Sequence, residues 1–244
     1  MESEYPNTQA IILKSSNPNI FSAGLDLLEL YQANNPDREK LVTFWRSFQQ
    51  VFIDLYSTRL ATIAAIQGHA PAGGCMLAMA CDYRIMAGSP ANTNASANAN
   101  ANANSKKAGT IGLNETQLGI AAPYWLADLM VNTIGLRQAE ISLGLGLLYS
   151  PEKAFDLGLV DHVVAASGDD DDDDFYEIAL KEAIKWSKVP PFARYASKMW
   201  TRRDVVKKLE ERREEDITSF CDFILNEDVQ KNLGLYLQNL KRKK

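Results

Sequence analysis

The sequence predicts an α/β protein in which strands alternate with short helices, followed by a long helical end. Two observations indicate this class. As far as about residue 167, short apolar runs are separated by turn-rich stretches and amphipathic segments, whereas from residue 175 onward the apolar residues recur at helical spacing. Such a pattern is typical of an α/β core with a helical tail. We therefore expect a core over residues 1–167 and a helical region over residues 175–244.

The first part of the chain supplies two buried strands and one long helix. The apolar runs over residues 9–14 and 61–66 each have the length and composition of a buried strand. Residues 37–57 carry apolar side chains three and four positions apart, which predicts an amphipathic helix. Residues 74–80 predict a short apolar helix that leads into a further strand, DYRIMA.

The second part continues the alternation and then becomes helical. PYWLADLMVNTIG predicts a helix, Ser150 is a plausible N-cap for the segment that follows it, and LVDHVV predicts a strand. One helix of the tail is expected to carry an apolar stripe, interrupted by Arg213, that is formed by Val206, Leu209, Ile217, Phe220 and Ile224. The last helix carries a second stripe formed by Leu233, Tyr236, Leu237 and Leu240.

Two segments of biased composition interrupt this pattern. Residues 91–104 consist of small, mostly polar residues without apolar periodicity, so we expect a disordered insertion on a surface loop. Residues 169–174 are six consecutive aspartates, which predict a solvated charge run. Neither segment is expected to carry chemistry.

Composition excludes several classes of function. The 244 residues carry a formal net charge of -5, which gives no basis for nucleic-acid binding. No run approaches the ~20 apolar residues of a membrane span, and the first residues match neither a secretory signal nor a transit peptide. Two histidines, His69 and His162, are too few for a His-rich metal site, and three scattered cysteines predict reduced, buried thiols.

Three segments have the composition of a functional site. FSAGLDL at 21–27 and HAPAGGC at 69–75 are turns of small residues that follow strands, and GLNETQLGI at 112–120 places a carboxylate inside an apolar stretch. Turns of this kind let backbone N–H groups approach a ligand oxygen, and two such groups could form an oxyanion hole. Either turn taken alone is more simply explained by a glycine that relieves a tight bend. Neither turn matches a phosphate-binding loop.

Taken together, the three segments resemble the crotonase superfamily, and within it the branch of mitochondrial short-chain 3,2-enoyl-CoA isomerases. FSAGLDL, PAGGC, CDYRI, IGLNETQLGI and LGLVDHVV occur in the order and approximate spacing of that family. The resemblance runs from about residue 9 to the C-terminus. FSAGLDL is moderately specific for the superfamily, and NETQLGI in register with it indicates the isomerase branch.

The resemblance implies a fold, an assembly and a location. The fold would be a ββα superhelix core with a C-terminal helical region that forms homotrimers. Family members carry a further strand and helix ahead of the point where this sequence begins, so N-terminal elements of the fold are expected to be missing. The implied location is the mitochondrial matrix. Coenzyme A would enter as part of the acyl-CoA substrate, and no separate cofactor or metal is implied.

The resemblance also implies roles for individual residues. Glu115 would be the catalytic base, and the backbone N–H groups of Leu25 and Gly73 would hold the thioester oxygen. The implied substrate-binding residues are Ala23, Gly24, Leu25, Asp26, Leu27, Gly73 and Asn114. Leu113, Leu118 and Ile120 are candidate apolar walls around the base.

Met76 favours the isomerase branch over the hydratases. Hydratases of the superfamily carry a second glutamate at this position, because hydration needs one group for water and another for the proton at the α carbon. A double-bond shift needs a single base, which removes a proton from C2 and returns it to C4. The sequence therefore predicts isomerisation of 3-enoyl-CoA to 2-trans-enoyl-CoA in the β-oxidation of unsaturated fatty acids.

Less specific interpretations remain open at this stage. His69 and His162 are expected to be structural or exposed, and Trp45 and Trp125 to be core residues rather than ligand contacts. The chain could instead be a hydratase or another crotonase-type acyl-CoA enzyme, or a CoA-binding protein without turnover. The helical tail could also serve chiefly as an interaction module.

Overall fold

A computed structural model describes residues 6–32, 36–90, 108–166 and 172–242. The predicted insertion at 91–104 lies outside the described residues, as does the first half of the aspartate run. The second half of that run begins a helix at Asp172, slightly before the predicted start at residue 175. Acidic side chains are favourable in the first turn of a helix because they face its positive dipole end.

The described residues form six strands in two parallel sheets. The strands are β1 (Ala10–Lys14), β2 (Ala61–Ile66), β3 (Ala70–Pro71), β4 (Tyr83–Pro90), β5 (Ile111–Gly112) and β6 (His162–Ala166). The larger sheet has the order β1-β2-β4-β6, and β3 pairs with β5 in the smaller one. The predicted strands over 9–14, 61–66 and DYRIMA are confirmed, whereas the strand in LVDHVV begins only at His162.

Ten α-helices lie within the described residues, and none is long and apolar enough to cross a membrane. They are α1 (Leu27–Leu30), α2 (Arg38–Ser57), α3 (Gly73–Ala80), α4 (Tyr124–Ile134), α5 (Leu136–Leu145), α6 (Pro151–Asp156), α7 (Asp172–Ser187), α8 (Pro191–Glu211), α9 (Arg213–Ile224) and α10 (Glu227–Arg242). The architecture is the predicted α/β core with a helical end.

The larger sheet is covered on both faces, which explains why β2 is apolar at nearly every position. Successive side chains of a strand point to opposite faces. Ile63 and Ala65 face α7, where they pack with Phe175 and its neighbours. Ala64 and Ile66 face the main core, which contains α2, α3 and α4. All six residues of β2 are buried, as expected for a parallel sheet with helices on both sides.

Helix α2 matches its prediction closely. Asp37 is the N-cap, and its carboxylate accepts a hydrogen bond from the Lys40 N–H at 2.9 Å. Apolar side chains at positions three and four apart bury one face, including Trp45, Phe52 and Tyr56. This face forms an aromatic cluster with Trp125 of α4, whose ring centroid lies 4.8 Å from that of Phe52.

The prediction that one helix carries the whole stripe from Val206 to Ile224 was wrong. The chain leaves helical geometry at Arg212, with φ -108° and ψ 17°, and α9 starts afresh at Arg213. Leu209 before the break and Ile217 after it are both buried in the core. Apolar spacing alone did not reveal the break, because both halves keep the same period.

Helix α8 is attached to the core by buried cations. Lys198 Nζ lies 2.9 Å from Asp82 Oδ2, and an Arg202 guanidinium nitrogen lies 2.9 Å from Asp82 Oδ1. Arg202 also donates to the carbonyls of Tyr56 and Ala80, at the C-terminal ends of α2 and α3. Cations are favourable at helix C-termini, so these side chains connect the helical region to the sheet and to two helices of the core.

Candidate active site

The small sheet brings the three sequence segments together. Phe21 N–H donates to the His69 carbonyl at 2.9 Å, which joins the first segment to the second. Ala72 N–H donates to the Gly112 carbonyl at 2.8 Å, which joins the second to the third. Strands β3 and β5 pair in parallel within this contact, with Pro71 in register with Gly112. Segments separated by some 90 positions in the chain therefore share one site.

A cavity lies where these segments meet. It encloses about 690 Å³ of empty space, counting the part that is open to solvent. The predicted site residues that border it are Ala23, Leu25, Leu27, Gly73, Asn114 and Glu115. Two of the predicted apolar walls, Leu118 and Ile120, border it as well, whereas Leu113 is buried beside it without lining it.

Two backbone N–H groups at this cavity have no acceptor. Gly73 is the first residue of α3, so its N–H has no intrahelical partner, and neither it nor the Leu25 N–H donates a hydrogen bond within the described chain. The two turns touch: a Cβ atom on Gly24 would lie 3.2 Å from the Gly73 nitrogen, and one on Gly73 would lie 3.5 Å from the Leu25 nitrogen. The two donors therefore lie close together at the cavity.

Ala72 adopts a strained conformation just ahead of these donors. Its φ is 50° and its ψ is -119°, and among the described non-glycine residues it alone has a positive φ. This region is normally left to glycine, and such strain is characteristic of functional sites. The hydrogen bond from Ala72 N–H to Gly112 holds the peptide before Ala72, and the Ala72 carbonyl accepts the Met76 N–H at 3.0 Å, which holds the peptide that carries the Gly73 N–H.

Glu115 begins a 3-10 turn over Glu115–Leu118 that ends at Gly119. Gly119 has a φ of 75°, and the following Ile120 N–H donates to the Glu115 carbonyl at 3.1 Å. The Thr116 hydroxyl donates to the Leu143 carbonyl at 2.6 Å, which ties the turn to α5. The backbone that carries Glu115 is therefore fixed on both sides.

The Glu115 carboxyl has the electrostatics of an acid–base catalyst. Burial raises its pKa from 4.5 to about 7, and a hydrogen bond from its own backbone N–H opposes this rise. Its Oε2 atom is buried without a hydrogen-bond partner, and so is Oδ1 of the neighbouring Asn114. A buried oxygen without a partner is uncommon in proteins. Both residues border the cavity, where a bound ligand could supply the missing interactions.

Three residues discussed in the sequence analysis, Gly24, Asp26 and Met76, do not border the cavity. Gly24 packs against Ala72 instead of lining the cavity, and Asp26 caps α1 by accepting the Leu28 N–H at 2.9 Å. Their predicted contact with coenzyme A stays a prediction. Met76 is fully buried in α3 and does not border the cavity.

The histidines and tryptophans are mostly structural. His69 is exposed, and its Nδ1 accepts the Thr110 N–H at 3.1 Å, so it supports the turn without lining the cavity. His162 is exposed at the start of β6. Trp125 is a core residue as expected, but Trp45 both belongs to the core and borders the cavity.

The sequence did not indicate the far walls of the cavity. These come mainly from helices distant in the chain and include Leu30, Trp45, Phe48, Leu126, Phe220 and Tyr236. Trp45 and Phe220 fall on predicted apolar stripes, but a stripe gives no sign of which member faces a cavity. Their position depends on how α2, α4, α9 and α10 pack together.

The arrangement is suited to chemistry next to a carbonyl group. A carboxyl with a pKa of about 7 can take up and return a proton near neutral pH. Two free N–H donors can stabilise the negative charge that develops on the carbonyl oxygen when the adjacent carbon loses a proton. No cluster of His, Cys, Asp and Glu suited to a metal ion occurs in the part of the chain that the structure describes.

Comparisons with known proteins agree with this geometry. The sequence profile of the enoyl-CoA hydratase/isomerase family matches residues 2–243. The mouse protein named enoyl-CoA delta isomerase 1, mitochondrial, is 41% identical over 236 residues, which are 97% of this chain and 73% of the mouse protein. The human protein of the same name is 38% identical over 97% of this chain and 70% of its own length.

Solved structures share the fold. The crystal structure of human mitochondrial delta3-delta2-enoyl-CoA isomerase aligns with a TM-score of 0.84 and 38% identity, covering 97% of this chain and 81% of that one. An enoyl-CoA hydratase from Bacillus halodurans aligns with a TM-score of 0.75 at 20% identity, over 93% of this chain and 81% of that one, which indicates a shared fold alone. The chain therefore belongs to the enoyl-CoA hydratase/isomerase family, with the crotonase fold.

Proposed function

We propose that the protein is a Δ3-Δ2-enoyl-CoA isomerase, which converts 3-enoyl-CoA into 2-trans-enoyl-CoA. The observation that carries this proposal is the composition of the cavity. Of the described residues that border it, Glu115 alone carries a carboxyl group, and the free N–H groups of Leu25 and Gly73 border the same space. The mammalian relatives named enoyl-CoA delta isomerase support the same activity.

The proposed reaction moves one proton. The thioester oxygen accepts hydrogen bonds from the Leu25 and Gly73 N–H groups, and the Glu115 carboxylate removes a proton from C2. The electrons of that C–H bond form a C1–C2 double bond while the carbonyl π electrons move onto the thioester oxygen, which gives a dienolate. On protonation the C3–C4 π electrons form the new C4–H bond, the C1–C2 pair becomes the C2–C3 double bond, and the carbonyl re-forms. Glu115 then delivers the proton to C4, so that the carboxylate is regenerated.

The electrostatics of the site suit both steps. A base with a pKa near the working pH is present in its ionised form yet still basic enough to accept a proton. Burial produces this property at Glu115, and the same apolar surroundings strengthen the two N–H···O interactions. Removing one such donor typically slows a reaction by about 10²–10³.

The residue at position 76 distinguishes isomerisation from hydration. Met76 supplies no carboxylate and is buried outside the cavity wall. Hydration asks for a second group that handles water, and the described cavity residues offer no second carboxyl. A single-base double-bond shift is therefore the reaction that these residues support best.

The wider assignments belong to the same proposal. The substrate is an acyl-CoA thioester, whose coenzyme A part leaves unchanged, so no further cofactor enters the reaction. The relatives are named mitochondrial, and we propose the mitochondrial matrix and fatty-acid β-oxidation as the setting. We also propose a homotrimer on the basis of the resemblance, which sedimentation of the purified chain would test.

The direct test is an assay with 3-hexenoyl-CoA. The wild-type protein should produce the conjugated 2-enoyl thioester, detected by its ultraviolet absorption. Glu115→Gln should lose at least about 10²-fold in rate, in keeping with removal of a general base, while it still binds saturated hexanoyl-CoA. Glu140→Gln, an exposed change on α5, is the matched control and should keep full activity. Turnover by Glu115→Gln within tenfold of wild type would exclude Glu115 as the base.

A further inference from the structure

We infer that a stacked pair of aromatic side chains, Trp45 and Phe220, is the end wall of the acyl-chain pocket and sets the upper limit on acyl-chain length. This inference rests on the proposed function, because it concerns the acyl part of the same thioester substrate. It identifies the residues of this chain that select among substrates.

Trp45 and Phe220 form a stacked, buried pair at the cavity. Their ring centroids lie 3.6 Å apart with an angle of 6° between the planes, and both residues border the cavity that contains Glu115. Both are buried, with exposed fractions of 2% and 9%. Almost all the surface of the pair is covered by protein, so a substrate chain that reaches it has no route through it to solvent.

The indole of Trp45 is held in position by a buried carboxylate. Its Nε1–H donates to Asp216 Oδ2 at 2.7 Å. The same oxygen accepts the side-chain N–H of Gln49 at 2.7 Å and the indole N–H of Trp125 at 3.2 Å. Asp216 lies on α9, the helix that also carries Phe220. Rotating Trp45 aside would leave its buried indole N–H without a partner, which is unfavourable.

The chemistry of the cavity assigns its two ends. The polar end contains the Glu115 carboxyl and the free N–H groups, which must meet the thioester. Trp45 packs against Phe48, with ring centroids 5.3 Å apart, and Leu126 also lines the cavity, so this part of the lining suits hydrocarbon. An acyl chain with its thioester at the polar end therefore extends toward the aromatic pair. Because the pair is rigid, a chain longer than the available space has to distort or stay partly outside.

The test compares chain lengths in variants that remove part of the wall. Phe220→Ala takes away one ring, and Phe220→Leu is a milder change that keeps more of the core should the alanine variant fail to fold. Phe52→Ala is the matched control. Phe52 is also fully buried in the aromatic cluster, 4.8 Å from the Trp125 ring, but it does not border the cavity.

Two measurements should be made on each protein. The first is the ratio of kcat/KM for 3-dodecenoyl-CoA to kcat/KM for 3-hexenoyl-CoA. The second is the ratio of the dissociation constants of saturated lauroyl-CoA and hexanoyl-CoA, which needs no turnover. Each methylene that gains burial strengthens binding roughly fourfold. We therefore expect Phe220→Ala to shift both ratios toward the long chain by about tenfold or more, Phe220→Leu to shift them less, and Phe52→Ala to leave them unchanged.

The outcomes separate this inference from the proposed function. Unchanged ratios in a folded Phe220 variant, or an equal shift in Phe52→Ala, would overturn the assignment of the wall. Absence of isomerisation with every substrate would contradict the proposed function, and the binding ratios would still decide whether Trp45 and Phe220 limit the chain.

Discussion

The burial of Glu115 lowers the stability of the folded protein and gives its carboxyl a pKa that suits the proposed reaction. Its carboxyl is buried among apolar neighbours, and Oε2 has no partner within the described chain. Burial raises its pKa to about 7, which means that the folded protein resists the ionised form that the proposed reaction requires. The resemblance implied that Glu115 is the base, but only the fold shows that ionisation of its carboxyl opposes folding.

Replacing Glu115 should therefore stabilise the protein in a pH-dependent way. The unfolded chain ionises this group near pH 4.5, whereas the folded chain keeps the proton until about pH 7. Between these values the unfolded state binds fewer protons, so the wild type loses stability as pH rises. The glutamine of Glu115→Gln does not ionise, so this variant does not lose stability in the same way.

We expect the free energies of unfolding of Glu115→Gln and the wild type to be similar near pH 4 and to diverge as the pH rises to 7.5. The stability difference should reach at most about 3 kcal/mol, since one pKa unit corresponds to about 1.4 kcal/mol. Urea unfolding at a series of pH values measures this difference. A constant difference across the range would contradict the raised pKa.

Met76 provides a residue-scale test of reaction type. Met76→Glu should raise the ratio of 2-enoyl-CoA hydration to 3-enoyl-CoA isomerisation above that of the wild type, because hydration uses two carboxylates. The increase should be small, since Met76 is fully buried and does not border the cavity, and since a grafted group lacks its supporting residues. A buried carboxylate should also lower the melting temperature. Met76→Gln controls for shape and polarity, and efficient hydration by the wild type would argue against an isomerase.

At the scale of elements, the sequence predicted those helices and strands whose signals lie within their own segment. Helix α2 has both a cap at Asp37 and a complete apolar stripe, and β2 is an uninterrupted apolar run. The two-residue strands β3 and β5 could not be predicted, because they exist only through pairing with each other. The break at Arg212 depends on the packing of α8 and α9 against the core, which sequence spacing does not record.

The turn before α3 offers a prediction about strain. Ala72→Gly should relieve the positive φ, which costs about 1–3 kcal/mol, while it adds up to about 1 kcal/mol of unfolded-state entropy. We expect a net stabilisation of about 1 kcal/mol and a several-fold lower kcat, because a more mobile turn directs the Gly73 N–H less well. Ala78→Gly, the same change in the ordinary part of α3, should instead destabilise. Thermal unfolding together with the isomerase assay checks both effects, and destabilisation by Ala72→Gly would show that the turn is not strained.

At the scale of the molecule, the site depends on contacts between distant parts of the chain. The resemblance predicted Leu25, Gly73 and Glu115 as site residues from the sequence, since each lies in a short recognisable segment. The cavity around them also needs Phe220 of α9 and Tyr236 of α10, whose roles follow only from the way the helical region folds back on the core. The site therefore depends on the attachment of the helical region to the core.

The buried ion cluster between α8 and the core should carry much of this attachment. Asp82, Lys198 and Arg202 have side chains that are 4%, 6% and 13% exposed. Asp82→Ala leaves two buried cations without their counter-charge, and losing one partner of a buried pair typically costs about 3–5 kcal/mol. Lys198→Met should cost less, because methionine fills the apolar part of the lysine site.

A double-mutant cycle tests whether these residues act together. The double variant Asp82→Ala/Lys198→Met should be more stable than the sum of the single effects predicts, by about 1–3 kcal/mol, because removing both charges leaves one fewer buried ion unpaired. Glu140→Ala breaks the exposed pair with Arg137 and should cost less than about 1 kcal/mol. Denaturant unfolding of the four proteins gives the coupling energy. Strict additivity of the single changes would mean that the cluster does not hold α8 to the sheet as a unit.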